Sequence, residues 1–479
     1  MDVKLHLPSG IRNAGIAVTG SKSETNRLLL LQALFPGFEI RNSSSSDDSE
    51  VMLKALEGND EVIDIHHAGT AMRFLTAYFA IQEGREVVLT GSQRMRERPI
   101  AVLVNALRSL GAKIEYVENE GFPPLKITAK KLIGNAVSIK ADISSQYITA
   151  LLLIAGKLEN GLELTLEGEI TSRPYIEMTL SLLNEIGIEN SFNENTIIVR
   201  PPGNLKSKIY NLKSVTVESD WSSASYFYSI IALSQEGTLI RLSSFKKNSL
   251  QGDSALVEIY EALGVSTKFD GDTITLRKEN RQLSTVNRQL NNTPDIAQTI
   301  AVTCFGLGLG CHLTGLHTLK IKETDRLSAL KTELEKLGAK VEITDDSLIL
   351  QPHQLFSAGV SRPGSFSFGE GRGEDLGTSV ARSPLLGRGA GGEDLSKSEA
   401  QDSTGFSRMS EAAPLSFGEG PGVRPEGSIQ TYNDHRMALA FAPLAIKRSI
   451  IIKDAEVVSK SYPAFWEDLG TLGFEITHL

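Results

Sequence analysis

Cysteine is nearly absent from this chain of 479 residues: Cys304 and Cys311 are the only two, both inside the apolar stretch AVTCFGLGLGC. Two thiols so placed give neither a disulfide framework nor a metal-ligand spacing, and they fit a reducing compartment. Long apolar runs are missing as well. Nothing approaches the roughly 18 apolar residues of a membrane span, and MDVKLHLPSG has no apolar core of signal-peptide length. Positive charge is in deficit, with 49 Lys and Arg against 58 Asp and Glu and a net charge of -9. That balance disfavours a nucleic-acid coat or an anionic membrane as the general partner, though a local basic pocket is compatible with it. The expectation is a soluble, cytoplasmic protein with no nucleic-acid or membrane partner. Hydrophobic residues at 41% and charged ones at 22% are those of a core-forming globular chain. Its length suggests two or three domains.

What is present is a recurring unit. In ERPIAVLVNALRSLGAKIEYV, apolar Ile100, Leu103, Leu107 and Leu110 step by three or four, Gly111 ends the helical pattern, and Ile114 and Tyr116 open an alternation. The same pattern runs through Ile176, Leu180, Leu183, Ile186 and Gly187, and through Leu256, Ile259, Leu263 and Gly264. It returns in Leu327, Leu330, Leu334, Leu337 and Gly338, and in Phe465, Leu469, Leu472 and Gly473. DDSEVMLKALEG, ending at Gly58, is a weaker first copy. Helical stepping followed by a C-terminal glycine is the physics of a helix packed on a sheet. Six copies predict two domains of three βα-type units each, an α/β (α+β) architecture with pseudo-symmetry.

The last interval between stop glycines, 338 to 473, is far longer than the others. The excess is one segment, 357–426, whose 70 residues hold 14 of the chain's 42 glycines and nearly repeat SFSFGEGRG as PLSFGEGPGVR. It is predicted to be a low-complexity, disordered surface insertion between SLILQP and IQTYNDHRMA.

Helix-start motifs carry the chemistry. GSKSETNR (20–27) follows a strand-like AGIAVTG and places cap-type Ser21, Ser23 and Thr25 beside Lys22 and Arg27. AGTAMRF (68–74) enters another helix with Arg73 one turn in, and RMRERP sets Arg94, Arg96 and Arg98 before a third. SSQY (144–147), TSRPY (171–175), Asp295 in NNTPDIAQTIA, TYNDHRMALAFA (431–442) and Lys460 in VVSKSYP complete the set. Singly, each reads as a capped or acidic helix start. Together they put a cation or hydroxyl at the N-terminus of nearly every repeat, which suits a cleft for a substrate with several anionic groups. IKETDRLSAL sharpens the point. Lys322 and Arg326 are four apart, a like-charge pair that destabilises an isolated helix by a few tenths of a kcal/mol. A ligand carboxylate or phosphate lying between them is the expected compensation.

In order along the chain, GSKSETNR, AGTAMR, RMRERP, SSQ, SRPYIEMT, DWSSASYF, PDIAQTIA, IKETDRL and YNDHRMA closely resemble the 5-enolpyruvylshikimate-3-phosphate synthase (3-phosphoshikimate 1-carboxyvinyltransferase) family. The resemblance covers everything but the insertion. It implies two domains, each of three βαβαββ units in an inverted α/β barrel of enolpyruvyl transferase type, with 21–218 as the first and 1–20 plus 219–479 as the second. The chain would cross between them near Thr19–Ser21 and Glu218–Asp220. The implied reaction moves the enolpyruvyl group of phosphoenolpyruvate to the 5-hydroxyl of shikimate 3-phosphate and releases phosphate, in a monomer with no metal or organic cofactor. By motif position Ser23, Arg27, Ser144, Ser145, Gln146 and Ser172 would hold shikimate 3-phosphate. Gly69, Arg98, Arg326, Arg436 and Lys460 would hold phosphoenolpyruvate, with Lys22 and Lys322 where the ligands meet. Asp295 would accept the hydroxyl proton and Glu323 would serve the methylene carbon, so Lys22, Asp295 and Glu323 form the expected catalytic set. The chain departs from the family pattern at His67 (commonly Asn), Phe74 (commonly Pro) and Thr318 (often Asn). The rivals are the sister transferase acting on UDP-N-acetylglucosamine and a non-catalytic anion-binding relative. The first typically has a catalytic cysteine on a mobile loop, whereas both cysteines here lie in an apolar segment.

Overall fold

The computed structural model describes residues 1–201, 212–353 and 427–479; the expected insertion, 357–426, lies outside them. The described residues build five four-stranded sheets and one two-stranded sheet, none closed into a barrel. Three sheets come from continuous chain. In the first, strands Val62–Asp64 and Glu86–Thr90 are joined through helix Gly69–Ala80 and pair in parallel, as a crossover helix permits. Helix Ala101–Ser109 then leads into Lys113–Tyr116 and Leu125–Thr128, an antiparallel pair whose second strand docks on Glu86–Thr90. The spatial order is first, second, fourth, third. Ala136–Val199 and Val286–Leu350 repeat this βαβαββ plan with the same order.

The other sheets borrow strands. Ala14–Ile16 supplies the first strand beside Leu239–Leu242, with Ala14 opposite Ile240. Val3–His6 takes the fourth place, between Ile450–Ile452 and Glu475–His478. Ser214–Thr216 pairs in parallel with Glu39–Arg41 in the two-stranded sheet.

Buried apolar side chains fall into two clusters. One runs from Leu28 to Val217; the other takes Val3–Val18 and then Trp221–Phe474. The chain therefore passes between cores twice, and the two passages are pinned together. Gly20 bridges to Ser219, the Ser21 N–H donates to the Glu218 carbonyl at 2.8 Å, and the Asp220 N–H donates to the Thr19 carbonyl at 3.0 Å.

Each core is built around three helices that pack on one another. Lys22–Leu34, Gly69–Ala80 and Ser145–Ala155 do so in the first, and Trp221–Leu233, Ala297–Leu307 and His435–Phe441 in the second. These helices are apolar around most of their circumference below the first turn, as helices enclosed on all sides must be; in Gly69–Ala80 every residue but Thr70 is buried. The amphipathic helices with stop glycines lie outside them against the sheets. Gly111, Gly187, Gly264, Gly338 and Gly473 all have positive φ, between 81° and 109°, whereas Gly58 at -78° does not, in line with its weaker pattern. Among the described residues no helix is long and apolar enough to cross a membrane, and no His, Cys, Asp and Glu cluster has the geometry to hold a metal ion.

Candidate active site

The starts of most of the buried helices line two cavities between the cores that share Arg98, so their free N–H groups and first-turn side chains face a common cleft. On the first core Ser21 caps helix Lys22–Leu34 by accepting from the Glu24 N–H. The Lys22 ammonium reaches Asp48 Oδ2 at 3.0 Å and, from the second core, the Lys460 carbonyl at 3.4 Å. One turn on, Arg27 is buried against polar but uncharged partners: Thr179 Oγ1, Thr149 Oγ1 and the carbonyls of Ser23 and Tyr175, at 2.6 to 3.3 Å. Its guanidinium lies over the rings of Phe74 and Tyr175.

Helix Gly69–Ala80 begins without a side-chain cap, and the Arg98 guanidinium lies directly on its first residue. A Cβ at Gly69 would sit 2.6 Å from Arg98 Nη1 and 3.1 Å from Cζ, so glycine is required there for the arginine to lie where it does. Arg98 is buried, its Nε has no partner, and among the described residues it forms no ion pair. Burial pushes both Arg27 and Arg98 down to about 10, and for Arg98 the neighbouring Arg73 adds to the effect. Ser144 caps helix Ser145–Ala155, Gln146 reaches Thr70 Oγ1 at 3.2 Å, and Ser172 holds a left-handed φ of 55° before helix Arg173–Glu185. Backbone strain of that kind in a non-glycine residue gathers at functional sites.

The second wall is organised differently. Asp295, in the 3-10 turn that leads into Ala297–Leu307, faces three cations: Arg326 at 2.9 Å, Arg436 at 3.1 Å and Lys322 at 3.4 Å. Arg326 is 2% exposed and spends its remaining donors on Glu323 Oε2 at 2.7 Å and Asp434 Oδ2 at 2.6 Å. Asp434 also caps helix His435–Phe441. Burial alone would raise Asp295 and Glu323, but Arg436, Lys322 and Arg326 around the first, and Arg326 and Arg98 around the second, hold both far below the ordinary carboxylate range. Burial lowers Lys322 and Lys460.

This geometry corrects the expectation for IKETDRL. Helix Arg326–Lys336 starts at Arg326 under an Asp325 cap, so Lys322 precedes it and the two cations do not share a helix face. The anion between them belongs to the chain itself: Asp295 Oδ1 touches both.

One cavity is lined by Ser23, Arg27, Arg98, Ser144, Ser145, Gln146, Ser172, Asp295 and Lys322, drawing on both cores. Arg98 is shared with a second cavity that contains Glu323 and Lys460. Gly69, Arg326 and Arg436 sit behind these surfaces, and Lys22 bridges from Asp48 to the Lys460 backbone. Of the three departures, Phe74 and Thr318 line the first cavity, the latter with a buried hydroxyl that has no partner. His67 lines the second, its Nδ1 2.8 Å from Ser92 Oγ.

A family profile described as EPSP synthase (3-phosphoshikimate 1-carboxyvinyltransferase) matches residues 56–362 and 419–469, leaving out 363–418. The chain belongs to the EPSP synthase family. Among curated EPSP synthase relatives, the 3-phosphoshikimate 1-carboxyvinyltransferase of Bacteroides fragilis (strain YCH46) is 42% identical over 474 residues, 98% of each chain. The Haemophilus influenzae protein of the same name is 32% identical over 483 residues, 95% of each. Of solved structures, the EPSP synthase of Acinetobacter baumannii superposes with a TM-score of 0.67 at 19% identity, covering all of both chains. The enolpyruvyl transferase NikO of Streptomyces tendae gives 0.63 at 13%, covering 100% of this chain and 98% of its own. These two likenesses are of fold. Within the EPSP synthase fold the sequence left several cleft residues without a part. Asp434 stood beside Arg436 in YNDHRMA, and Arg73 and Arg94 stood in quoted motifs, so a signal existed. Tyr175, whose hydroxyl points across the cleft to Asp253 Oδ1 at 3.5 Å, also stood in a quoted motif, TSRPY; Asp253 itself gave no signal.

Proposed function

We propose that this chain transfers the enolpyruvyl group of phosphoenolpyruvate to the 5-hydroxyl of shikimate 3-phosphate, releasing phosphate, on the route to chorismate and aromatic amino acids. It works as a cytoplasmic monomer of two domains, 21–218 and 1–20 plus 219–479. The observation that carries the reading is the charge on the first wall: among the described residues Arg27 and Arg98 are buried with no carboxylate in ion-pair contact, beside hydroxyls of Ser23, Ser144, Ser145 and Ser172. A buried cation without a counter-ion is costly unless an anion arrives to meet it. Arg27, Ser23, Ser144, Ser145, Gln146 and Ser172 take shikimate 3-phosphate; Arg98 on Gly69, with Lys460, Arg326 and Arg436, takes phosphoenolpyruvate; Lys22 and Lys322 stand between. Arg326 and Arg436 act chiefly through Asp295 and Glu323, whose carboxylates they already hold.

Addition of the hydroxyl across the enol double bond needs one proton delivered to carbon and one taken from oxygen. Two separately placed carboxylates meet that need, Glu323 for carbon and Asp295 for oxygen. Both are held strongly ionised by surrounding cations, which suits neither an acid nor a base. Binding two multiply anionic ligands offsets that positive field and raises both carboxylates toward working values. The cleft excludes water while this happens. A phosphate-release assay on the purified protein tests the proposal: release only with both substrates supports it. Release with UDP-N-acetylglucosamine in place of shikimate 3-phosphate identifies the sister activity, and no turnover with either leaves an anion-binding relative.

A further inference from the structure

Of the three arginines in RMRERP, Arg98 belongs to the cleft wall and Arg96 pairs with Glu118 at the surface. Arg94 does something else. It starts from the short helix Gln93–Arg96 of the first core and crosses to the second. There Nε donates to the Glu323 carbonyl and Nη2 to the Lys322 carbonyl, each at 3.2 Å. The receiving segment lies between a 3-10 turn ending at Ile321 and a helix starting at Arg326, so no regular ladder holds its peptide planes. Two successive carbonyls gripped by one planar fork fix two successive peptide planes, and with them the directions of the Cα–Cβ bonds of Lys322 and Glu323. The first ammonium then lies 3.4 Å from Asp295, and the second residue's carboxylate 2.7 Å from Arg326.

We infer that Arg94 is a positioning residue: it aims Lys322 and Glu323 only when the two cores have closed, so it couples closure of the cleft to assembly of the proton-transfer groups. The inference rests on the proposed reaction for its catalytic consequence but not for its structural one. A lysine at 94 keeps the charge yet cannot span both carbonyls, because an ammonium is a point donor and lacks the guanidinium's planar fork. The Arg94 side chain is 41% exposed and its remaining contact is a surface pair with Glu97, so its removal leaves no core void.

The experiment compares wild type, Arg94→Ala and Arg94→Lys by steady-state kinetics and by amide hydrogen exchange without ligands. A displaced reacting group costs on the order of 10²-fold, so kcat should fall about 10- to 100-fold in both variants. KM for phosphoenolpyruvate and the affinity for shikimate 3-phosphate should move less than about threefold, because neither ligand contact is removed. Exchange in the peptide spanning 321–325 should quicken in both variants, while exchange in the buried helices stays as in wild type. Restoration of kcat by lysine would make charge, not the fork, the active feature. A tenfold rise in KM for phosphoenolpyruvate at unchanged kcat would make Arg94 a direct ligand contact. Unchanged exchange at 321–325 overturns the positioning role even in a protein that turns nothing over, and a wild type inactive with both substrates counts against the reaction alone.

Discussion

The two walls of the cleft carry similar positive charge and handle it in opposite ways. On the second, Arg326 and Arg436 are raised despite burial because Asp434, Glu323 and Asp295 surround them. On the first, burial lowers Arg27 and Arg98 to about 10, and Glu24 and Glu323, near them but not in ion-pair contact, only partly offset it. Arg73 donates to the carbonyls of Gly69 and Pro99 and leaves its Nε without a partner among the described residues. A neutralised wall holds its own catalytic groups rigidly. An unneutralised one takes its counter-charge from what binds. In the proposed reaction the first wall serves mainly substrate capture, whereas the second holds the proton-transfer pair and also lends Lys460, Arg326 and Arg436 to phosphoenolpyruvate.

The most severe way to test this division is to remove one carboxylate from the neutralised wall. Glu323→Gln keeps the shape and the Arg326 contact but cannot carry a proton to or from carbon, so kcat should fall by roughly 10²–10⁴-fold while substrate affinities change little. Near-normal turnover would remove Glu323 from its role, and an equal loss in affinity would mean that Glu323 holds substrate rather than moving a proton.

Glu24 sharpens the contrast by stability. It lies on the same helix as Lys22 and Arg27, yet among the described residues its carboxylate accepts only the Glu218 N–H, at 3.2 Å where the chain crosses between cores. Burial raises it from 4.5 to about 7, so near neutral pH this buried acid is only about half ionised and offsets only part of the Arg27 charge. The folded state holds this proton where the unfolded chain has released it, so the unfolded chain binds fewer protons between pH 4.5 and about 7. Stability therefore falls as pH rises through that window and stays reduced above it. Glu24→Gln should remove the slope and stabilise the protein at pH 8 by about 1–3 kcal/mol, read by denaturant unfolding at pH 5 and pH 8. Identical pH slopes in the two proteins would show that Glu24 is ionised and paired after all.

A smaller effect is expected from Gly69→Ala. The new methyl would enter within 2.6 Å of Arg98 Nη1. The guanidinium must swing away, and with no carboxylate holding it, the loss is felt by the ligand: KM for phosphoenolpyruvate should rise about tenfold with kcat less affected. A change confined to kcat would place Arg98 with the catalytic wall.

What the sequence revealed follows from where each signal resides. Amphipathic helices announce themselves through Leu and Ile spacing and a positive-φ glycine, so the five strong repeats were visible, as were the helix-start motifs, being local in sequence. Signals that depend on distant pairing were not. Nothing in VKLH or AGI states that these strands complete sheets more than 200 residues away. The charge of Lys322 and Arg326 was legible but its partner was not, because Asp295 is brought in by a different helix. Arg94 was visible as a charge and silent as a donor, since its acceptors are backbone carbonyls, which every residue has.

The stretch 357–426, which lies outside the described residues, sets the smallest expected effect. Its sequence is rich in Gly, Ser and charge and poor in the Leu and Ile spacing that builds both cores, so it has little apolar surface to contribute to either. Shortening a connection changes its closure entropy only logarithmically, on the order of 1 kcal/mol for a severalfold change in length. Removal of 357–426 should therefore leave kcat and both KM values within about twofold and the protein soluble. If the truncated protein is insoluble, the segment packs on a core and the regular spacing of the six units does not mark the functional chain. If it folds but loses kcat alone, the segment acts on closure, and the division of labour between the two walls has a third participant.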